Sequence, residues 1–305
     1  MRGGADLAAP SSLRPASGLV LLALVIAACV PAPRAPIDLE RVEARSMRFG
    51  LAGPRATICP GEPVKLDVVL DVVDEDGEAM KLVPHRRTFE DAIFDVRQLR
   101  VASAQGFFDG DGVFYPSPDV TASVHTGFVL HARAPNGPSF AVRFPPAYEC
   151  TARIGRDGPT GGKGPRFEVF VTWVRTPDYT KLLGARALGD VDTITLVAPG
   201  TPLLARARGG QGAAGQPGRD GGDGGAGGEV TLVLDDRFDD LARMVTSDVR
   251  GGDGGPAGYD EVLARTQAEG TRGKPGKHGD PGRATIVRGK DVRSRFEGLG
   301  AIVPF

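Results

Sequence analysis

The sequence is poor in cysteine, in aromatic residues and in net charge. Its 305 residues include three cysteines and one tryptophan, aromatic residues make up 6%, and the formal net charge is −1. A chain without a basic excess has no electrostatic field that would attract nucleic acid, so a nucleic-acid partner is not expected. The lack of an acidic tail also argues against a cation store.

Sequence motifs of nucleophilic and metal-dependent catalysis are missing as well. There is no G-x-S-x-G, P-loop or H-E-x-x-H pattern, and the histidines are scattered along the chain. They are His85, His125, His131 and His278. The stretch Gly210-x-Gly212-x-x-Gly215 matches the dinucleotide fingerprint, but the glycine-rich residues after it cannot begin the helix that binds pyrophosphate. The sequence therefore predicts no cofactor.

Aspartates beside glycines do not complete a calcium site. The stretches GGDGGAGGE and GGDGGPAGYDE resemble the repeats-in-toxin nonapeptide, but Ala226 and Pro256 occupy the position of its aspartate ligand. Asp109 and Asp111 also lie beside glycines, without the other ligands of an EF-hand loop. We expect these aspartates to form tight turns. We expect no metal site and no catalytic residues, so the chain is not predicted to be an enzyme.

The first residues have the features of a signal peptide. Arg2 and Arg14 supply positive charge, and residues 18–29 form an apolar run that is too short to remain across a bilayer. Small residues directly precede Cys29, which resembles the lipobox of bacterial lipoproteins, in which the cysteine is acylated after cleavage. We expect residues 1–28 to be a lipoprotein signal peptide and Cys29 to be lipidated. An ordinary secretory signal and an uncleaved anchor remain alternatives.

The residues around the lipobox also predict a compartment. Val30 follows Cys29, where a signal for retention in the inner membrane would resemble an aspartate. The expected location is therefore the outer membrane or cell surface, with the protein facing the periplasm or the exterior. In such an oxidising compartment Cys59 and Cys150 are expected to form a disulfide, and two unpaired buried thiols are the alternative.

The chain after the signal peptide begins with a tether and a β-rich region. Residues 29–42 are rich in proline and alanine near their start and have no apolar period, which predicts an extended tether. Residues 43–152 contain several short alternating strands separated by turns and no long helix, which predicts a disulfide-linked β-sandwich.

Two hairpins are clear within this β-rich region. Apolar residues alternate from Val64 to Val72 and return at Met80 and Leu82 after an Asp-Gly turn. A second hairpin runs from residue 128 to 144 through an Asn-Gly turn. Further strand-like pieces lie at residues 93–101 and 120–124.

Residues 153–305 form a second region, which holds most of the 44 glycines of the chain. Glycine recurs there at every third position in four blocks, and short β-branched strands separate the blocks. The repeat glycines are Gly155, Gly158, Gly161, Gly164, Gly209, Gly212, Gly215, Gly218, Gly221, Gly224, Gly227, Gly252, Gly255, Gly258, Gly270, Gly273, Gly276, Gly279 and Gly282. Residues of the strand at 171–174 recur 59 positions later at 230–233, which indicates an internal repeat.

A glycine at every third position is typical of a polyproline-II-type helix with one edge free of side chains. Such an edge lets a neighbouring backbone approach closely. Extra glycines at positions 222, 225 and 228 free a second edge, which suits the interior of a bundle formed by one chain. We therefore expect a polyglycine-II-like repeat region interleaved with short strands in a mainly β protein. A collagen-like trimer and a flexible glycine linker remain alternatives.

The signal peptide, the lipobox, the two-cysteine β-rich region and the glycine blocks alternating with strands such as EVTLVLDD occur together. This combination resembles the glycine-rich, collagen-like repeat lipoproteins of Gram-negative bacteria such as myxobacteria. The resemblance covers nearly the whole chain. It implies architecture and membrane attachment, and it implies no defined chemistry.

The function expected from these features is a structural or surface-binding role at a membrane. The expected partners are the membrane, through the lipid anchor, and a protein or glycan that the sequence does not identify. An alternative is a carbohydrate-binding or carbohydrate-active protein that uses the β-sandwich. Trp173, Tyr115 and Tyr148 would then be the aromatic residues on which sugars stack.

Overall fold

The computed structural model describes residues 35–85, 92–258 and 274–305. The chain is mainly β, as the sequence predicts, with four sheets, two short α-helices and three 3₁₀ turns among the described residues. Cys29 and the expected signal peptide lie outside the described residues, as do Gly270 and Gly273.

The first β region is built from two sheets. Its elements are a 3₁₀ turn at Leu39–Arg41, β1 Glu43–Leu51, β2 Val64–Val73, β3 Ala79–Val83, β4 Ala92–Ile93, a 3₁₀ turn at Val96–Gln98, β5 Arg100–Ala102, β6 Gly106–Phe108, β7 Val113–Pro116, α1 Val120–Ser123, β8 Phe128–Arg133 and β9 Ser139–Phe144. One sheet has six strands in the order β4-β3-β2-β7-β6, with β1 paired to β2, and the other has the order β5-β8-β9. Apolar residues of both sheets share one buried core.

Both predicted hairpins are confirmed in this region. Strand β2 pairs with β3 in antiparallel register, and the turn between them contains Gly77 at a φ of 86°. Strand β8 pairs with β9 along its whole length, from Phe128 opposite Phe144 to Arg133 opposite Ser139. Alternation of buried and exposed side chains along β2 and β8 places one face of each strand in the core.

Two details of this region differ from the sequence expectation. Residues 120–124, predicted to be strand-like, form helix α1, because the Asp119 carboxylate caps its first turn by accepting from the Thr121 amide at 2.9 Å. Residues 93–101 include a 3₁₀ turn capped in the same way by Asp95. The end of the expected tether, from residue 37, is also packed, since Leu39 and Val42 are apolar and buried in the core.

The second β region contains the remaining strands. They are β10 Arg153–Gly155, β11 Arg166–Arg175, β12 Leu182–Gly189, β13 Thr193–Val197, β14 Leu203–Arg206, β15 Glu229–Asp235, β16 Val245–Asp248, β17 Arg283–Gly289 and β18 Val303–Pro304, with helix α2 Leu241–Met244 and a 3₁₀ turn at Arg293–Phe296. A three-stranded parallel sheet has the order β10-β14-β16. A six-stranded sheet has the order β13-β12-β11-β15-β17, with β18 paired to β11.

The strands compared in the sequence repeat lie in the six-stranded sheet. Strands β11, β15 and β17 are parallel neighbours, and Phe167 lies opposite Val230, a separation of 63 positions. The sequence match at 59 positions is therefore shifted by four residues from the structural register. An even shift leaves the same side chains facing inward.

The six-stranded sheet is covered on both faces. One face packs against the three-stranded sheet through buried residues such as Val169, Leu232 and Leu203. The other face contacts α1 and the C-terminal residues through Phe170, Val174 and Phe296. Burial of β11 on both faces explains why the residues from Val169 to Val174 are all buried and, apart from Thr172, apolar.

Candidate functional site

Three glycine-rich loops join the two sheets of the second β region. The first loop, residues 156–165, joins β10 to β11, and the second, 207–228, joins β14 to β15. The third lies between β16 and β17, and its described residues are 249–258 and 274–282. Each loop has an outgoing arm and a returning arm. Because β10, β14 and β16 are parallel, and β11, β15 and β17 are parallel too, arms of the same kind run side by side.

The two arms of the second loop hydrogen-bond to each other at every third residue. The Gly222 amide donates to the Ala213 carbonyl at 2.8 Å, and the Gly225 amide donates to the Gly210 carbonyl at 2.8 Å. The next bond in this series joins the Gly228 amide to the Ala207 carbonyl at 2.7 Å. In this series the residue number of the donor rises by three at each step while that of the acceptor falls by three. The two arms therefore run antiparallel, and their hydrogen bonds repeat every three residues.

The same period links neighbouring loops. Bonds from the second loop to the third are Gly209 to Arg250, Gly212 to Asp253, Gly215 to Pro256, Gly221 to Lys274, Gly224 to Lys277 and Gly227 to Asp280, with amide–carbonyl distances of 2.8–2.9 Å. Bonds from the third loop include Gly252 to Gly225 and Gly255 to Gly222, and within it Gly276 bonds to Gly255 and Gly279 to Gly252. The first loop contributes Gly158 to Arg208, Gly161 to Gln211 and Gly164 to Ala226. Every described arm therefore bonds to arms of the same chain.

Glycine is required at these positions because another backbone lies where a Cβ would be. A Cβ on Gly209 would lie 1.9 Å from the Gly225 carbonyl oxygen, and one on Gly225 would lie 1.8 Å from the Gly162 carbonyl oxygen. The outgoing arm of the second loop shows how local this requirement is. Gly210 faces the first loop at Pro159, whereas Ala213 and Gln216 follow on the same edge beyond the tip of that loop. On this edge of the outgoing arm, the glycine lies at the position where the first loop is a neighbour.

The outermost returning arm, residues 274–282, ends the array. Its glycines face inward, and its other residues are exposed. Pro275 and Pro281 have no amide to donate. The Lys274 amide donates to the Asp220 carboxylate at 2.6 Å, and the Lys277 amide donates to Asp223 at 2.8 Å. The outermost arm therefore has few free backbone amides with which another chain could form hydrogen bonds.

Three of the repeat glycines have a positive φ. Gly218 has a φ of 74° and is exposed in the turn between the arms of the second loop. Gly155 and Gly161 have φ values of 97° and 66°, at the start and tip of the first loop. These values favour glycine for conformational reasons.

Ion pairs lie where the loops leave the three-stranded sheet. Arg206 donates from Nε and Nη2 to the two carboxylate oxygens of Asp157, and Arg250 donates in the same way to Asp248 at 2.9 and 2.8 Å. The hydrogen bonds from Arg250 lower the pKa of Asp248 to about 2, against a desolvation effect that would raise it. These bidentate pairs fix the direction of the outgoing arms.

A buried carboxylate fixes the end of β15. Burial alone would raise the pKa of Asp235, but hydrogen bonds from Arg237 and from Thr172 at 2.7 Å lower it below its ordinary value. Arg237 also donates to the Phe305 carbonyl at 2.7 Å. Asp235 is thus occupied by structural contacts.

Two of the three aromatic residues proposed to stack on sugars are buried. Trp173 is 4% exposed, its Nε1 donates to Asp240 at 3.2 Å, and the Lys181 ammonium lies 4.0 Å from its ring centroid. Tyr148 is fully buried, and burial raises its pKa. Neither ring can contact a ligand on the surface, so these two expectations are wrong.

The third, Tyr115, forms an aromatic pair that the sequence analysis missed. Phe107 on β6 lies opposite Tyr115 on β7, and their rings are parallel within 3° at a centroid distance of 4.7 Å. Phe107 is 63% exposed, more than any other large apolar side chain among the described residues. The sequence pattern that could have predicted this pair is the DGDG turn, which lies between the two aromatic residues and brings their strands together.

The aspartates beside this pair form the predicted tight turn. The Asp109 carboxylate accepts from the Val113 amide at 2.8 Å and the Asp111 amide at 2.9 Å. The bond from Val113 is the largest cause of the lowered pKa of Asp109, and the Tyr115 hydroxyl adds another hydrogen bond to it. Asp109 therefore holds the turn and orients Tyr115.

Cys59 and Cys150 form the expected disulfide, with a Cα–Cα distance of 6.2 Å. Together with Glu62 they are the one cluster of metal-ligand residue types within the part of the chain that the structure describes, and their sulfurs are bonded to each other. The four histidines are not clustered there. His278 lies 3.3 Å from the Asp253 carboxylate at the surface of the third loop.

Comparison of the chain with protein-family models, with curated proteins and with solved structures finds no match. Within residues 35–85, 92–258 and 274–305, no helix is long and apolar enough to cross a membrane.

Proposed function

We propose that the protein is a membrane-anchored bacterial lipoprotein with a structural or surface-binding role and no catalytic activity. The observation that carries this proposal is the set of hydrogen bonds with a three-residue period that joins the glycine arms of a single chain. Such an array is a rigid support for the side chains on its outer edges. Its partner would be a protein or glycan that contacts those edges.

The proposal includes a polyglycine-II-type bundle for the glycine loops. The period of three residues and the backbone-to-backbone packing at glycine support this assignment. At about 3.1 Å per residue, the arm at 207–217 would project about 30 Å from the sheets. The bonds within one chain and the prolines on the outermost arm argue against a collagen-like trimer.

The proposal also includes a β-sandwich for the first β region. Support comes from the buried core that its six-stranded and three-stranded sheets share. The Cys59–Cys150 disulfide is compatible with an oxidising compartment, as the lipoprotein assignment requires. The outer membrane or cell surface is the location that we propose.

Lipidation is tested by labelling cells that express the protein with radioactive or clickable palmitate. We expect the label and the membrane retention to be lost in Cys29→Ala and kept in Cys59→Ser, which removes a cysteine outside the lipobox. Unchanged labelling and retention of Cys29→Ala would contradict the anchor.

The bundle is tested separately by limited proteolysis and by the molar mass of the full chain in detergent. We expect a monomer in which residues 209–228 resist cleavage. Rapid cleavage within those residues, or an obligatory trimer, would contradict a bundle formed by one chain.

A second candidate function is carbohydrate binding, favoured by the Phe107–Tyr115 pair. The outer ring is exposed and rests on a parallel ring whose hydroxyl is held by Asp109. A flat, immobile aromatic surface loses little entropy when a sugar ring stacks on it. On a glycan array we expect binding that Phe107→Ala abolishes and that Phe305→Ala, a change at another exposed aromatic residue, preserves. Equal glycan binding by the two variants would exclude this surface.

A further inference from the structure

Two arginines lie side by side on the outer face of the three-stranded sheet of the first β region. Arg100 on β5 is directly opposite Arg133 on β8. Their neighbour Ala132 points into the core, so both arginine side chains lie on the solvent face, where they are exposed. Like charges directly opposite each other on adjacent strands destabilise a sheet. The pair therefore needs a counter-charge or a function.

No counter-charge is provided within the described structure. Arg100 and Arg133 form no ion pair and donate no side-chain hydrogen bond among residues 35–85, 92–258 and 274–305. Asp38 and Glu40 line the same cleft, but neither carboxylate lies within 4.0 Å of either guanidinium. Asp38 instead accepts from the Glu40 amide at 3.0 Å.

The arginines open into a cleft of about 620 Å³ whose walls are fixed. On one side, the Gln98 side-chain oxygen accepts from the Leu39 amide at 2.5 Å. On another, the Asn136 side-chain amide donates to the Glu40 carbonyl at 2.5 Å. These bonds connect the 3₁₀ turn at Leu39–Arg41 to the 3₁₀ turn before β5 and to the turn between β8 and β9, so the cleft exists before any ligand binds.

We propose that this cleft binds a phosphate group through Arg100 and Arg133. A guanidinium presents paired donors that match the oxygens of a tetrahedral oxyanion, and two of them can neutralise a dianion. The carboxylates of Asp38 and Glu40 line the same cleft and repel a dianion, so binding depends on direct paired contacts with both guanidinium groups.

The first test is calorimetric titration of the full chain with inorganic phosphate. We expect Arg100→Gln and Arg133→Gln each to weaken binding at least tenfold, because each removes a hydrogen bond between charged groups. Arg283→Gln, at an exposed arginine on β17, is expected to leave the affinity unchanged. An equal loss in Arg283→Gln would mean nonspecific attraction, and unchanged affinity in both cleft variants would overturn the proposal.

Thermal stability separates a binding role from a structural one. Without phosphate, we expect each cleft variant to melt at the same temperature as the parent protein or higher, because the repulsion between the arginines is relieved. Phosphate should raise the melting temperature of the parent and of Arg283→Gln but not of the cleft variants. A lower melting temperature of the cleft variants without phosphate would identify the pair as structural and would overturn the proposal.

The phosphate could belong to a soluble ester or to a lipid headgroup. Glycerol phosphate and vesicles containing phosphatidylglycerol distinguish the two sources when both are offered to the Cys29→Ala chain with and without Arg133→Gln. If Arg133→Gln loses binding of glycerol phosphate only, the ligand is a soluble phosphate ester. If Arg133→Gln loses binding to the vesicles, the ligand is a lipid headgroup. If Arg133→Gln changes the binding of neither, the proposal fails.

Discussion

Replacing Gly225 by alanine is the most direct perturbation of the glycine loops. A Cβ there would lie 1.8 Å from the Gly162 carbonyl oxygen and 2.4 Å from its carbon, far inside a van der Waals contact of about 3.5 Å. Both atoms belong to backbone, which cannot rotate away as a side chain could. The first and second loops must therefore separate.

The size of the effect follows from the hydrogen bonds at this point. Gly225 donates to Gly210 at 2.8 Å and accepts from Gly252 at 2.8 Å, and the Gly210 amide donates to Gly162 at 2.9 Å. Loss of these three bonds at about 1 kcal/mol each costs about 3 kcal/mol. The lower entropy of the unfolded alanine chain offsets about 0.5–1 kcal/mol of this. We expect a net loss of about 2 kcal/mol in the free energy of unfolding.

Gly222→Ala is a matched control on the same edge, three residues away. The first loop does not reach this position, and the nearest atom to a new Cβ is the Ala213 nitrogen at 3.1 Å. We expect a change within about 1 kcal/mol. Urea unfolding followed by the fluorescence of Trp173, the one tryptophan of the chain, measures both variants. If Gly225→Ala were as stable as Gly222→Ala, close backbone packing would not explain the glycines.

Three further predictions concern other parts of the fold. Replacing Cys59 and Cys150 together by serine should lower the free energy of unfolding by about 4 kcal/mol, because the disulfide closes a long loop; an unchanged urea midpoint would contradict this. The carboxylate of Asp248 has a lowered pKa of about 2, so its ion pair stabilises the fold above the ordinary pKa of 3.8 and is lost as the pH falls through about 2. Asp248→Asn should therefore cost about 1 kcal/mol at neutral pH after allowance for solvent screening, and flatten the acid-unfolding curve between these values; an identical acid midpoint would refute it. Arg237→Gln should destabilise the protein by about 2 kcal/mol or more, because it leaves Asp235 buried without its cation; a loss no larger than that of the exposed Arg283→Gln would refute it.

Local sequence patterns predicted the features of the fold that depend only on neighbouring residues or on a single residue type. The alternation in β2 and β8 and their Asp-Gly and Asn-Gly turns predict both hairpins, because turn geometry and side-chain alternation are local properties. The pairing of Cys59 with Cys150 also follows from the small number of cysteines. The glycine period predicts close backbone contacts for the same reason.

Other features depend on contacts that no local pattern contains. Helix α1 forms because the Asp119 carboxylate caps a segment that begins with two β-branched residues, Val120 and Thr121, which favour a strand. The burial of Trp173 and Tyr148 results from packing on both faces of β11 and its neighbours. The juxtaposition of Arg100 and Arg133 arises from the pairing of β5 with β8, which are separated by β6, β7 and α1 in the chain.

The unequal glycine content of the arms limits how this protein could be enlarged. The outermost arm has glycine on one edge, while Pro275, His278 and Pro281 occupy another. A fourth loop inserted by gene duplication after β17 would meet side chains at those three positions and a missing amide at each of the two prolines. Lengthening the array in evolution or by engineering would thus require their conversion to glycine first, whereas longer arms on existing loops would need no such change.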